Sequence, residues 1–501
     1  MNPAPPVMRT LAMTGGRSVH DLCFVAKSTH ERGIIINKQA SRQTEEDCVV
    51  PISALRRWRI RRLYNNGEWK KARQGCEKEL SGPNHDFAAE LVVRCFYNER
   101  SWQGLIDFTT NYPESDSGQY TQKAKRKVAE ELEALQGIPE PMDKQDWNAK
   151  DLLLNWSQEG QRLWLRHPWG WVHWDMPVGY QLNETHPSLL HLALEVLLSP
   201  WVPETKSWKV ERRNPGENDS LSFSGGVDST AAMILMPQNT ILAYHERNFT
   251  SMINHSLPHS TFRAISERTD RKVLSILSNH ERIRTYHGKP NGFSTDHAAG
   301  VHLILLSDFL SLKGIAFGTP IDNTWLKKGL HFRQFSSSDY WLYWSEKFDK
   351  AGLSYDLVIN HLSEGGTLEI CRQSMFSDVV NSCLRGKDLR WCGKCWKCFH
   401  KNGPLGRSLE PHSKEIIAFL NKSPLRSGVH ALWALKNQNL GDLAPRLLPY
   451  LKSDFSWWIQ AYPPGLELIR NPLRSIIKDN TERFLEWMEP PFDLELIHLE
   501  L

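Results

Sequence analysis

The sequence predicts an α/β protein, a parallel sheet with a helical region before it and a helical extension after it. Three observations carry this expectation. After Asp219, short runs rich in β-branched and aromatic residues alternate with longer stretches of helical composition, the order that builds parallel sheets. One such run leaves through "SGGVDST" (Ser224 to Thr230), where glycines allow a tight passage from strand to helix. From about Pro51 to Gly137, apolar residues recur at helical spacing.

Residues 1–145 are expected to be mainly helical, with breaks at "SGPNHD" and "NYPESDSG". Within them "YNNGEW" (from Tyr64) and "YNERSW" (from Tyr97) share Tyr, Asn and Trp at an offset of 33. That is close to the ~34-residue period of helical solenoid repeats, although two unrelated hairpins would give the same pair. A short tetratricopeptide-like array here is a candidate surface for a protein partner. The run "LRRWRIRR" (Leu55 to Arg62) reads as a solvated helix face, and nucleic acid is not favoured as a partner.

Residues 146–212 form a Trp-rich connecting region. The alternation in "RLWLRHPWGWVHWDMPVGYQL" predicts β-structure, with the aromatics as core rather than as a base-stacking platform. Residues 213–410 hold the expected strands "SLSFS", "TILAYHE", "KVLSIL", "GIAFG" and "DLVINH", with "HAAGVHLILLSDFLSLK" between two of them as helix. Residues 411–501 are helical in composition, as in "PLRSGVHALWALKNQ" and "NTERFLEWM", and no chemistry is assigned to them.

A formal net charge of +4 over 501 residues gives no electrostatic case for nucleic acid. The longest apolar run, near "VHLILL", is far too short for a membrane span, and the N-terminus lacks a signal-peptide core. A cytoplasmic protein is expected. Four of the nine cysteines fall within sixteen positions, which fits metal binding in a reducing compartment better than a disulfide framework.

A strand, a glycine turn and a helix N-terminus bring free backbone N–H groups and the positive end of a helix dipole to one point, a site suited to phosphate. Ser224, Ser229 and Thr230 can donate hydroxyls, and Gly225 and Gly226 keep side chains out of the way. Asp228 adds a carboxylate that would repel phosphate unless a cation such as Mg²⁺ lies between them. An ordinary turn with Ser and Asp as helix caps is the competing reading. In "SCLRGKDLRWCGKCWKCFH", Cys383, Cys392, Cys395 and Cys398 have the tight spacing of a four-thiolate zinc knuckle, with a redox Cys-x-x-Cys or an iron–sulfur cluster as rivals.

"SGGVDS" resembles the PP-loop of the N-type ATP pyrophosphatases, whose domain is HUP-like (adenine nucleotide alpha hydrolase-like). The cysteine string, "GIAFGTPIDN" and "VINHLSEGG" narrow the resemblance to 7-cyano-7-deazaguanine synthase and its relatives, over roughly residues 215–405. The resemblance implies an ATP-dependent carbon–nitrogen ligase that adenylates a small planar, deazapurine-like carboxylic acid and releases pyrophosphate. ATP, Mg²⁺ and a structural Zn²⁺ are the implied cofactors. Ser224, Gly225, Gly226, Asp228, Ser229 and Thr230 would face the phosphates, with Ser224 and Asp228 at the reacting end and Tyr244 edging the adenine. Arg333 is the candidate for the substrate carboxylate. Synthase-like proteins with extra domains also occur in anti-phage defence, so conjugation of a deazapurine to a protein partner is one alternative, and a degenerate nucleotide-binding scaffold another. Where the synthases carry an Arg-Asn pair, this chain has Asp296 and His297, so the missing charge would come from His297, Lys327, Lys328 or Arg333.

Overall fold

The structure is a computed structural model that describes residues 52–116, 120–135, 147, 151–249, 254–383 and 385–501. The start of the expected helical region 1–145, including the stretch expected to lack a signal-peptide core, lies outside the described residues. The chain divides into two compact units, Met1–Ala124 and Lys125–Leu501.

The first unit contains helices α1 (Ile52–Asn65), α2 (Trp69–Glu77), α3 (His85–Glu99) and α4 (Trp102–Asn111), and the start of α5 (Tyr120–Leu135). α1–α2 and α3–α4 are helix–turn–helix hairpins, and their turns are the two repeated sequences. Gly67 and Arg100, equivalent at the offset of 33, both end their helices with positive φ, 79° and 58°. Asn98 of the second turn donates to the Tyr64 hydroxyl of the first at 2.9 Å. Ala72, Cys76, Ala88, Leu91, Val92 and Cys95 fill the space between helices. The arginines of α1 are exposed, and Ile60 is its buried anchor.

The second unit is built on one eight-stranded sheet. Its strands are β1 (Trp156–Glu159), β2 (Arg162–His167), β3 (Gly170–Asp175), β4 (Asn218–Ser222), β5 (Ile241–Arg247), β6 (Val273–Ser278) and β7 (Leu312–Phe317), with β10 (Ser354–Asp356) at one edge; β8 (Leu326–Lys327) and β9 (His331–Phe332) form a separate ribbon. Spatial order is β1-β2-β3-β6-β5-β4-β7-β10. The five strands from β6 to β10 are parallel, and β1–β3 join antiparallel through Trp174 opposite Ser278. The expected Trp-rich β-structure is thus an extension of the same sheet, and Trp164 and Trp174 are core residues.

Alternation along the strands divides the core into two layers. Leu242, Tyr244 and Ala316 face one layer, with α7 (Val227–Leu235), α8 (Ser256–Thr269) and α11 (Glu364–Gln373). Ala243, Ile315 and Phe317 face the other, with α6 (Pro187–Leu198), α9 (Val301–Leu305) and α10 (Asp339–Lys350). α12 (Lys414–Leu420), α13 (Gly428–Asn437) and α14 (Leu473–Thr481) follow. Two expectations shift. The strand expected at "DLVINH" is instead Ser354–Asp356, which shares only Asp356 with that run; residues 357–361 leave the sheet in turns, and Asp356 pairs with Arg470 at 3.1 Å. The helix expected at "NTERFLEWM" stops at Thr481; Glu486 and Met488 pair their backbones with Ala461 instead, so tertiary pairing overrides local propensity. No described helix is long and apolar enough to cross a membrane.

Candidate functional site

In strand order the parallel set reads third, second, first, fourth, fifth, and the chain direction of building reverses between β4 and β7. Sheets of this order leave a crevice at the carboxyl ends of those two strands. The glycine turn stands there. Gly225 adopts φ 71°, which lets the chain reverse within one residue before α7 begins at Val227. Gly318, just past β7, passes so close that a Cβ would lie 3.2 Å from the Ser229 backbone nitrogen. The Ser224 and Ser229 hydroxyls hydrogen-bond one another at 3.0 Å, while Thr230 is fully buried with its hydroxyl unpartnered and does not line the cavity beside the turn.

That cavity has a volume of about 230 Å³ and is walled by Ser224, Gly226, Tyr244, Arg247, Ser382 and Lys397, among others. The Tyr244 hydroxyl meets His255 Nδ1 at 2.7 Å. Arg247 is clamped in a two-pronged pair to Glu281, which also takes His245 Nε2 at 3.0 Å. Burial raises the Glu281 carboxyl, but these partners outweigh it and hold it at about 2.

Asp228 does not wait for a cation. Its Oδ1 accepts from Lys401 Nζ at 2.8 Å and from the Thr367 hydroxyl at 2.7 Å. Lys401, 1% exposed, also reaches Glu364 Oε2 at 3.0 Å. Burial alone would lower the Lys401 ammonium, yet Asp228 and Glu364 raise it above the ordinary lysine range. Glu364 is held well below the carboxylate range because Lys401 beside it overcomes its burial. Asp322 accepts the Glu364 backbone N–H at 2.9 Å; burial and the Glu364 charge push its own carboxyl well up. His430 is satisfied as a neutral ring, since Nε2 donates to the His400 carbonyl at 3.0 Å and Nδ1 accepts from Trp458 at 3.2 Å. Glu364, His400 and His430 bring ligand atoms within 4.8 Å of one another, but Lys401 already occupies Glu364 and both His430 nitrogens are engaged.

Cys383, Cys392, Cys395 and Cys398 converge, their sulfurs all within 4.8 Å of one another. Cys392–Cys398 and Cys395–Cys398 stand 3.8 and 3.6 Å apart. Tetrahedral sulfurs about 2.3 Å from zinc would be separated by about 3.8 Å, so the cluster could hold a metal ion such as zinc. Backbone N–H groups of Cys392 and Arg385 point at Cys383 Sγ, at 3.2 and 3.4 Å, and Asn402 points at Cys398 Sγ at 3.4 Å.

The knuckle and the turn meet. The Ser382 hydroxyl accepts the Val227 N–H at 2.9 Å, and a π-helical turn, Cys398–Asn402, carries Lys401 to Asp228. Other expected residues stand apart from this centre. Arg333 is tied to backbone, donating to the carbonyls of Asn323 at 2.9 Å and of Thr324, and it does not line the cavity. His297 lies among Phe317, Tyr340, Trp344 and Tyr355, where burial lowers it to about 3; the neutral ring cannot replace an arginine. Lys327 and Lys328 are exposed around the β8–β9 turn. Sequence reasoning missed Lys401, Thr367, Glu364, Asp322 and His430. Asp322 and Glu364 lie inside "GTPIDN" and "SEGG", so their carboxylates were visible although their convergence was not.

A family of unknown function, DUF6395, matches residues 343–491, a stretch that includes Glu364, the four cysteines, Lys401 and His430 but not the glycine turn. No curated protein and no solved structure matches.

Proposed function

We propose that the chain is an ATP-dependent carbon–nitrogen ligase of the PP-loop kind, acting on a small planar carboxylic acid, with a deazapurine-like acid as the first candidate. One observation carries the reading: Ser-Gly-Gly-x-Asp-Ser lies at the reversal point of a parallel sheet, beside a cavity that reaches Tyr244 on the adjacent strand. The acid's carboxylate oxygen would attack the α-phosphorus of ATP as the bond to the β-phosphate oxygen breaks; an amine would then displace AMP. The turn's N–H groups and the α7 dipole would hold the departing pyrophosphate. Asp228, already neutralised by Lys401, serves here as an anchor of the turn, so Mg²⁺ would enter with the nucleotide. The four-thiolate ion is proposed to be a structural zinc, since four protein ligands leave no open position. The hairpins of the first unit are the proposed surface for a protein partner, and the cysteines among the described residues, all free thiols, accord with a cytoplasmic setting.

Pyrophosphate-dependent ATP exchange with a panel of planar acids tests this. Acid-dependent exchange is expected. Nucleotide binding without exchange for any acid would favour a second reading, a nucleotide-binding scaffold, which the engagement of Asp228 by Lys401 and Thr367 also suits.

A further inference from the structure

The knuckle region carries several cations, and four of them have partners. Arg385 pairs with Glu415 at 2.6 Å, Lys394 with Glu410 at 3.1 Å, and Lys401 with Asp228 and Glu364. Arg407 donates to the carbonyls of Val380 and Ser377 at 2.6 and 2.7 Å. Among the cations that wall the cavity, Arg247 is held by Glu281. Lys397 is the exception. It is half-buried, it lines the same cavity as Ser224 and Gly226, and among the described residues it has no carboxylate within ion-pair distance. Its ammonium rests over the Trp396 ring, 5.0 Å from the centroid. A ring face supplies only part of what water gives an ammonium, and leaves its hydrogen-bond donors free.

A partly desolvated ammonium that touches no carboxylate, and feels Glu364 and Asp228 only from beyond ion-pair distance, costs free energy, and a bound anion would offset that cost. Across the cavity stand the glycine turn and the first turn of α7, which supply neutral donors and a dipole but no formal positive charge. Each side lacks what the other has. We infer that Lys397 is the cation that receives a polyphosphate at the glycine turn, the role that His297, Lys327, Lys328 and Arg333 do not fill. This rests on the ATP reading above, and it assigns to the cysteine knuckle a binding group as well as a structural one. Lys397 is a point charge on a flexible stem, suited to following a phosphate group as it departs.

The test uses the metal-loaded full chain and inorganic pyrophosphate as probe, with affinity measured by calorimetry and metal content by elemental analysis. Lys397→Gln is expected to weaken pyrophosphate binding at least tenfold with unchanged metal content, and Lys397→Arg to stay within about threefold, because charge rather than shape is at stake. In wild type, acetylation of Lys397 followed by peptide mass spectrometry should slow when pyrophosphate is added, which checks the contact without a substitution. Wild-type binding that Lys397→Gln leaves intact, or acetylation of Lys397 indifferent to pyrophosphate that binds, would overturn the inference and spare the ATP reading. A wild-type chain that binds neither pyrophosphate nor ATP would overturn both.

Discussion

The glycine turn and the cysteine knuckle meet at one site but are held in different ways. The turn is shaped by its own backbone, through φ 71° at Gly225 and the close passage of Gly318. The knuckle gathers four thiols that only a cation can hold together once they lose their protons. Yet the knuckle side supplies most of the charged chemistry: Lys401 neutralises Asp228, Ser382 binds the Val227 N–H, and Lys397 faces the cavity. The turn is therefore durable and the knuckle conditional. Metal removal should break the pair most severely. A chelator, or Cys395→Ser, is expected to cost several kcal/mol and, at roughly 1–2 °C per kcal/mol for a unit of this size, to lower the melting temperature of the second unit by about 5 °C. Elemental analysis should find about one zinc per chain beforehand. A metal-free chain of unchanged melting temperature would refute the conditional half of the comparison.

Lys401→Met gives the next largest effect. It removes the one cation between Asp228 and Glu364, both of which lose their principal partner in a buried setting. Breaking one side of a buried pair costs about 3–5 kcal/mol. Urea unfolding should show that loss with the metal still bound, which separates the ion-pair contribution from the coordination contribution. A loss below about 1 kcal/mol would mean that water, not Lys401, balances the carboxylates.

The two motifs were legible in the sequence because each is local: a glycine pair after an apolar run, and thiols at spacings of two. The parallel strands were legible through period and composition, as with Leu242 and Tyr244 facing one layer and Ala243 the other. The ionic centre was not. Lys401 is separated from Asp228 by 173 residues, and its inward aim depends on a π-helical turn that no composition signals. Arg333 misled for the opposite reason: an arginine looks the same in sequence whether it faces a substrate or two backbone carbonyls. His430, in the C-terminal stretch to which no chemistry was assigned, required the packing of α13 against the knuckle to acquire a role.

Acid should sharpen the contrast, with a smaller effect. His430 is lowered to about 3, chiefly by burial, and protonation would set a second N–H against that of Trp458. A histidine with a depressed folded-state value stabilises fully above its unfolded value near 6.5, and this contribution erodes as pH falls from there toward 3. At pH 5 that amounts to about 2 kcal/mol. Glu281, at about 2, stabilises above about 4.5 and loses its contribution only below that. Unfolding free energy measured from pH 7 to 5 should therefore fall in wild type, and fall less steeply by about one proton's worth in His430→Gln. Parallel slopes would assign the acid sensitivity to other buried histidines.

The smallest expected effect concerns the neutral hydrogen bond between the halves. Ser382→Ala removes the acceptor of the Val227 N–H, a bond of 2.9 Å at the first residue of α7. Losing a neutral hydrogen bond costs about 0.5–1.5 kcal/mol, so the melting temperature should drop by about 1–2 °C with the metal retained. The effect on anions should have the opposite sign. The freed N–H belongs to the helix N-terminus beside the cavity, and a donor without a protein acceptor is one more donor for phosphate. Pyrophosphate affinity is accordingly expected to rise by roughly twofold to fivefold, the size of one added neutral hydrogen bond. Calorimetric titration of Ser382→Ala beside wild type reads both signs in one preparation. If affinity falls together with stability, the turn depends on the knuckle for its shape as well as its charge, and the division between a durable half and a conditional half fails.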